Sequence, residues 1–244
     1  MSTKKQEKSP EEKILEGVTE KGMRLEIQVT KILSENHFSV FNQVPYYDPI
    51  KKKIRTIDIK TSISKINYEK AEFKVEKILT LYIECKKNKQ AKLIFFLKSD
   101  LLGKIEVFSR LFQKGVLSQL DRRYFYEGNA IGIIHQVVFG GDFFYGAQMQ
   151  VLKSIEYLVG QIDNKIELVI PVIVFEGDMY ELYLEKDEYK IRPIHFVQFL
   201  SSGIPEDNTS VFIDVVDIKV FQTYLELVKK RYDLFPKYLA PMKL

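Results

Sequence analysis

Two segments of this chain alternate apolar and polar residues with a period of two. In Ile54 to Lys60, Ile57 and Ile59 are apolar, while Thr56, Asp58 and Lys60 share the opposite face. In Ile78 to Lys86, the apolar face is Leu79, Leu81, Ile83 and Cys85, and it opposes Thr80, Tyr82, Glu84 and Lys86. Strands produce this pattern because their side chains point to opposite faces in turn. The chain is therefore expected to build a sheet with one covered face and one face that carries charge. At 244 residues, 45% hydrophobic and 29% charged, it can bury a substantial core within one large domain.

The neighbouring segments complete an α/β reading. From Pro10 to about Asn36, residues Ile14, Leu15, Val18, Leu25, Val29, Ile32 and Leu33 recur at helical spacing. Ser39 to Val44 reads as a strand, and Pro45, Asp48 and Pro49 mark a turn. Leu93 to Leu97 and Ile131 to Val138 read as strands, and Gly140 to Asp142 lead into a helix ending near Val159. Leu168 to Phe175 suits a strand buried on both faces, with Pro171 leaving one side short of a full hydrogen-bonding neighbour. Tyr180 to Leu184 and Val211 to Val216 are further strands, and Val220 to about Tyr232 is a closing helix. Residues 1–9 read as a disordered tail and 10–244 as a single domain.

No stretch reaches the roughly 18 apolar residues that a bilayer span needs, and the polar start lacks a signal-peptide core. A soluble, cytoplasmic protein with no membrane partner is expected. The lone Cys85 excludes an internal disulfide and a thiolate zinc cage. The net charge of +4 says little, but its distribution says more. Lys51, Lys52, Lys53 and Arg55 precede one alternating strand, and Lys86, Lys87, Lys89 and Lys92 follow the other.

The pattern acid, any residue, lysine occurs seven times, starting at Glu11, Asp58, Glu72, Glu84, Asp163, Glu188 and Asp217. The letters alone select nothing. Only Glu84-Cys85-Lys86 closes a strongly apolar alternating strand that has another acid-bearing strand upstream. Residues two apart on a strand share a face, roughly 6.5 to 7 Å from each other. Antiparallel pairing with Asp58 opposite Glu84 sets Ile59 near Ile83 and Ile57 near Cys85, keeping the apolar residues on one side. The connection then centres near Ala71. Glu26 lies on or beside the buried stripe of the first helix, where a carboxylate calls for a cation. Carboxylates converging on one point repel unless a divalent ion sits between them, and oxygen ligands suit Mg²⁺ or Mn²⁺. Such an ion polarises a phosphate and acidifies a bound water, while Lys86 orients that water or neutralises developing charge.

These residues resemble the PD-(D/E)XK, or restriction-endonuclease-like, nuclease superfamily. Asp58 matches the motif aspartate, Glu84 and Lys86 the E-x-K pair, and Glu26 the helix glutamate of many members. The resemblance implies a core of helix, three-stranded meander, helix and strand (α-β-β-β-α-β), with a mixed central sheet flanked by helices. The core then spans 10–90 and 142–176, with an insertion at 91–141 and a C-terminal extension at 177–244. Ile57 stands where the motif has proline. The gap between Asp58 and Glu84 is long, and Asp48 is the alternative aspartate.

The implied activity is metal-dependent hydrolysis of phosphodiester bonds, in DNA rather than RNA, as an endonuclease. A protein that keeps the fold but binds nucleic acid without cutting is the competing reading. Lys52, Lys53, Arg55, Lys87, Gln148, Gln150 and Lys153 are candidate contacts to the nucleic-acid backbone, and double cutting would call for a homodimer. His37, His135 and His195 have no ligand spacing and read as structural. Fourteen tyrosines and seventeen phenylalanines without an RNP-like motif read as core. Gly140-Gly141 lacks the lysine and hydroxyl residue of a P-loop.

Overall fold

The computed structural model describes residues 8–20, 23–67, 74–98, 131–159, 167–201 and 211–234. The fold is α/β, with helices packed on a mixed, curled sheet of eight strands among the described residues. Helix α1 is Pro10–Glu20 and α2 is Met23–Glu35. Ser9 caps α1 reciprocally, its hydroxyl accepting from Glu12 N–H and its own N–H donating to Glu12 Oε2. Four-residue spacing puts Leu25, Val29 and Leu33 on the buried face of α2.

Strands β1 (Ser39–Asp48), β2 (Lys53–Asn67) and β3 (Lys74–Lys98) follow as an antiparallel meander. The turn expected at Pro45 lies later, because β1 continues to Asp48 and reverses over residues 49–52. Pro45 is tolerated there because β1 is the edge of the sheet. Asp48 builds the turn, its Oδ1 accepting from the N–H groups of Ile50 and Lys51 at 3.1 and 3.0 Å. The connection expected near Ala71 lies outside the described residues.

The sequence divides Ile78–Lys86 from Leu93–Leu97, yet both belong to β3. Asn88 Oδ1 accepts from Gln90 and Ala91 N–H, folding residues 88–91 into a bulge. There the register against the neighbouring strand jumps from Lys87↔Glu176 to Lys92↔Asp178. Gly177 fills that gap, where a Cβ would come within 2.5 Å of Asn88 O and 2.4 Å of the Phe175 ring. The expected break is thus a bulge that one continuous strand absorbs.

Strand β4 (Ile131–Val138) pairs antiparallel with the far half of β3. Helix α3 (Phe143–Val159) leads to β5 (Glu167–Glu185), which runs parallel to β3 and takes in both the Leu168–Phe175 and Tyr180–Leu184 segments. Pro171 sits one residue before the β8 ladder opens at Val172↔Asp214, so its missing N–H breaks no pair with β8. Strands β6 (Glu188–Ile194), β7 (Phe196–Ser201) and β8 (Val211–Asp217) complete the sheet. A 3-10 turn, Ile218–Val220, leads into α4 (Phe221–Leu234).

The strand order is β1-β2-β3-β4-β7-β8-β5-β6 with β5 also paired to β3, so β3, β4, β7, β8 and β5 close a ring. One core joins Leu25, Val29, Ile59, Leu81 and Ile83 to Phe221, Tyr224 and Leu225 of α4. The other joins Tyr82, Phe95, Ile173 and Phe175 to Phe144, Val151 and Ile155 of α3. Ile57 belongs to the second core and Ile59 to the first, so the single apolar face expected for them breaks at Asp58. Gln43, which the register sets opposite Asp58, is skipped in the β1–β2 ladder and has φ of 51°. Its left-handed backbone accounts for the local twist.

Candidate active site

The site lies where β2 and β3 part. Their ladder runs from Asn67↔Lys74 to Ile59↔Ile83, the register that sets Asp58 opposite Glu84, and ends there. Beyond it β2 pairs with β1 alone, while β3 continues beside β5 with Glu84 level with Ile173 and Lys86 level with Phe175. Asp58 bridges the opening, its Oδ2 accepting from the backbone N–H of Cys85 at 2.8 Å. Its carboxyl thus reaches β3 within one residue of Glu84. Lys86 Nζ donates to Glu84 Oε1 at 2.5 Å, as the shared strand face requires.

Glu26 joins from the first turn of α2 through Gln43. The Gln43 amide donates to Glu26 Oε2 at 2.7 Å and accepts from Thr56 Oγ1 at 3.0 Å. Gln43 has no titratable group and no motif position, which is why composition and spacing pass over it. It holds three elements together at the mouth of the site.

The electrostatics follow from burial. Glu84 is fully buried, and its carboxyl is pushed up to about 7 by burial and then by the Asp58 charge, against the pull of Lys86. Burial also raises Asp58, partly offset by the Cys85 N–H and by Lys86. Glu26 is raised by burial and by Asp58. Each acid therefore feels another, so the groups share one field. Glu84 Oε2 has no hydrogen-bond partner among the described residues.

That orphaned oxygen tests whether a divalent ion suits the site. Among the described residues, no group of three or more His, Cys, Asp or Glu side chains could hold a metal ion. Mg²⁺ needs fewer, since it keeps several waters and takes one or two carboxylates besides its substrate phosphate. Asp58 and Glu84 supply such a pair, and the unused Glu84 Oε2 is a ligand atom of the right kind. The residues present fit a sparsely held hard cation.

The remaining candidates divide. Asp48 is buried away from this use, its carboxylate accepting from Lys153 Nζ at 3.0 and 3.1 Å and lying 3.8 Å from Arg55. Burial pushes its carboxyl up, but the Lys51 N–H and Lys153 outweigh that and leave it below the ordinary range. Lys153 spends its ammonium on this pair, and buried Gln148 accepts from Ser201 Oγ at 3.3 Å. Both turn inward rather than out toward a backbone, a correction to their reading as contacts. Gln150 is half-buried on α3. Lys52 and Lys53 are exposed on the β1–β2 hairpin, and Lys87 lies 3.9 Å from Glu176 of β5. No helix among the described residues is long and apolar enough to cross a membrane. Comparison with family models, with curated proteins and with solved structures gives no match.

Proposed function

We propose that this chain is a divalent-metal-dependent nuclease of the restriction-endonuclease-like type, cleaving DNA phosphodiester bonds as an endonuclease. The observation that carries the reading is the meeting of Asp58, Glu84 and Lys86 where β2 and β3 part, with Lys86 Nζ 2.5 Å from Glu84. The element order supports it: α2, the meander β1 to β3, α3, and β5 returning parallel beside β3 is the order the resemblance implies.

In this reading Asp58 and Glu84 hold Mg²⁺ or Mn²⁺, and Glu26 steadies the site through Gln43. When bound, the ion supplies positive charge that polarises the phosphate and lowers the pKa of a coordinated water. Glu84 must give up its proton to serve as a ligand. Lys86 lies beside the reacting phosphate, where its ammonium orients the attacking water and offsets charge gathering on the phosphoryl oxygens. Fixed burial of Glu84 and the short Lys86 contact mean that little reorganisation is needed.

The test incubates plasmid DNA with Mg²⁺ or Mn²⁺ and the wild-type chain, Asp58→Ala or Lys86→Ala. Wild-type cleavage is expected, with Lys86→Ala slower by roughly 10²-fold or more. Equal products from all three would eliminate the site. The competing reading, binding without cleavage, draws on Lys86 itself, which stands on Glu84 as its counter-cation. Calorimetric titration with Mn²⁺ separates the two, since a non-cutting binder gives no saturable heat that depends on Glu84.

A further inference from the structure

Strand β6 ends the sheet, and among the described residues it pairs with β5 alone. It is exposed along nearly its whole length, with Tyr189 75% and Ile191 52% open to solvent and Leu184, opposite Tyr189 on β5, 54%. Large apolar side chains gathered on a sheet edge mark a place where another surface docks. The β5–β6 hairpin turns through two residues, Lys186 and Asp187, at φ of 49° and 65°, the left-handed pair of a type I′ turn. Such a turn is closed by a hydrogen-bonded pair, here Glu185↔Glu188, and bonded and non-bonded pairs alternate from there. The backbone groups of Glu188, Lys190 and Arg192 therefore face β5, and those of Tyr189, Ile191 and Pro193 face outward. Pro193 fits this phase, since the N–H it lacks is one that the β5 ladder does not use.

The two faces of the strand carry different chemistry. Tyr189 and Ile191 share the apolar face with Leu184, while Glu188, Lys190 and Arg192 share the other. On the charged face Lys190 is paired with Glu185, and Arg192 donates from Nε to Glu181, both of β5. Glu188 is exposed, and no described residue forms an ion pair with it. A second copy of β6, antiparallel about a two-fold axis through Lys190, completes this pattern. Tyr189 then lies opposite Ile191 of the copy, and Ile191 opposite its Tyr189, each pair exchanging both backbone hydrogen bonds. Aromatic and β-branched residues set opposite each other are favourable cross-strand pairs. Glu188 lies opposite Arg192 of the copy, whose guanidinium has donors beyond the one given to Glu181. The two Lys190 side chains meet at the axis, each already held by its own Glu185. The ladder stops by itself, because the next outward pair would join Asp187 of the turn to Pro193, which has no N–H. Moving the axis to Ile191 would set Lys190 against Arg192 and Glu188 against Ile194, so charge selects the first register.

We propose that the chain forms a two-fold dimer by joining the outer edges of β6, so that two sheets run on as one. The partner is a second copy rather than an unrelated strand because the edge is complementary to itself in side chain, charge and backbone phase alike. The contact is short, well under the standard interface, so monomer and dimer exchange at micromolar concentration. It stands apart from the nuclease reading. Strand β6 pairs with residues 179–185 of β5, whereas Glu84 lies level with Ile173, and a chain that does not cut would dimerise as well.

The experiment follows the full chain by light scattering on a sizing column from about 1 to 100 μM, the range in which so small an interface dissociates. The wild type is expected to grow in mass from monomer toward dimer. Ile191→Lys, which sets an ammonium against Tyr189 of the copy, should associate more weakly by about ten-fold or more. Lys190→Cys tests the register, since residues that meet on the two-fold in a non-hydrogen-bonded pair have the Cα spacing of a disulfide. With oxidised glutathione it should cross-link to a covalent dimer, while Lys31→Cys, at an exposed position of α2, should not. All three positions are exposed, and an unchanged circular dichroism spectrum confirms that each variant is folded. A wild type that stays monomeric throughout, an Ile191→Lys chain that dimerises as well as the wild type, or a Lys190→Cys chain that cross-links no faster than Lys31→Cys would overturn the proposal.

Discussion

Glu84 is the residue whose chemistry most depends on its surroundings. The folded chain holds its proton up to about 7, whereas the unfolded chain releases it near the ordinary glutamate value. Between those two values the folded state binds more protons, so stability falls as pH rises through the window and stays lower above it. Ionising Glu84 in place costs roughly 3 kcal/mol at most, reduced by any cation that reaches it. Glu84→Gln removes that cost. Its melting temperature relative to wild type should therefore rise between pH 5 and pH 8 in EDTA, as calorimetry would read; an unchanged difference would refute the assignment. On the proposed function, activity should move the opposite way, because metal ligation would need the carboxylate. The cleavage rate should climb as pH rises toward 7, with a midpoint that shifts downward as Mg²⁺ concentration increases.

Among the elements, the β1–β2 hairpin is fastened to α3 by one buried ion pair, Asp48 with Lys153. Losing one partner strands the other charge without water, which costs about 3 to 5 kcal/mol for a buried pair. Asp48 keeps its two backbone donors and Arg55, so Lys153→Met should fall at the low end of that range in urea denaturation. DNA affinity of the folded fraction should not change, and a selective loss of affinity would restore Lys153 to the substrate face. Adding Asp48→Asn should recover part of the stability. The pair joins residues 105 positions apart, a separation at which no periodic signal links them. By contrast, the pairing of Asp58 with Glu84 was legible, because a one-residue slip would have taken Ile59 off the face it shares with Leu81 and Ile83. The helices were legible from spacing. The Asn88 bulge was not, since a polar run inside a strand looks like its end, and neither was the exchange of faces at Ile57 and Ile59, which depends on the backbone of Gln43. His195 and Asp217 lie 22 residues apart and meet only because β7 pairs with β8.

Across the whole molecule, the two carboxylates sit on strands with different partners. Glu84 sits on β3, one strand of the closed ring of β3, β4, β7, β8 and β5, and is paired there with β5. Asp58 sits on β2 where that strand is paired with β1 alone, beyond the end of the β3 ladder. An ion shared between them would tie the outer hairpin to the ring. Mn²⁺ at 100 times its dissociation constant would stabilise the fold by about 2.7 kcal/mol, provided the unfolded chain does not bind it. The gain should be distributed unevenly. Amide exchange should slow most at Arg55 to Asp58 and their β1 partners, and least in β5 from Val172 to Phe175, which is paired with β3 on one side and β8 on the other and so should exchange only by global unfolding. Asp58→Asn should abolish both the rise in melting temperature and the added protection, while Asp48→Asn leaves the response to Mn²⁺ in place on a less stable protein. If Mn²⁺ protects the ring and the hairpin alike, or protects the Asp58→Asn chain as well as the wild type, the ion binds elsewhere and the two walls of the site are not joined through it.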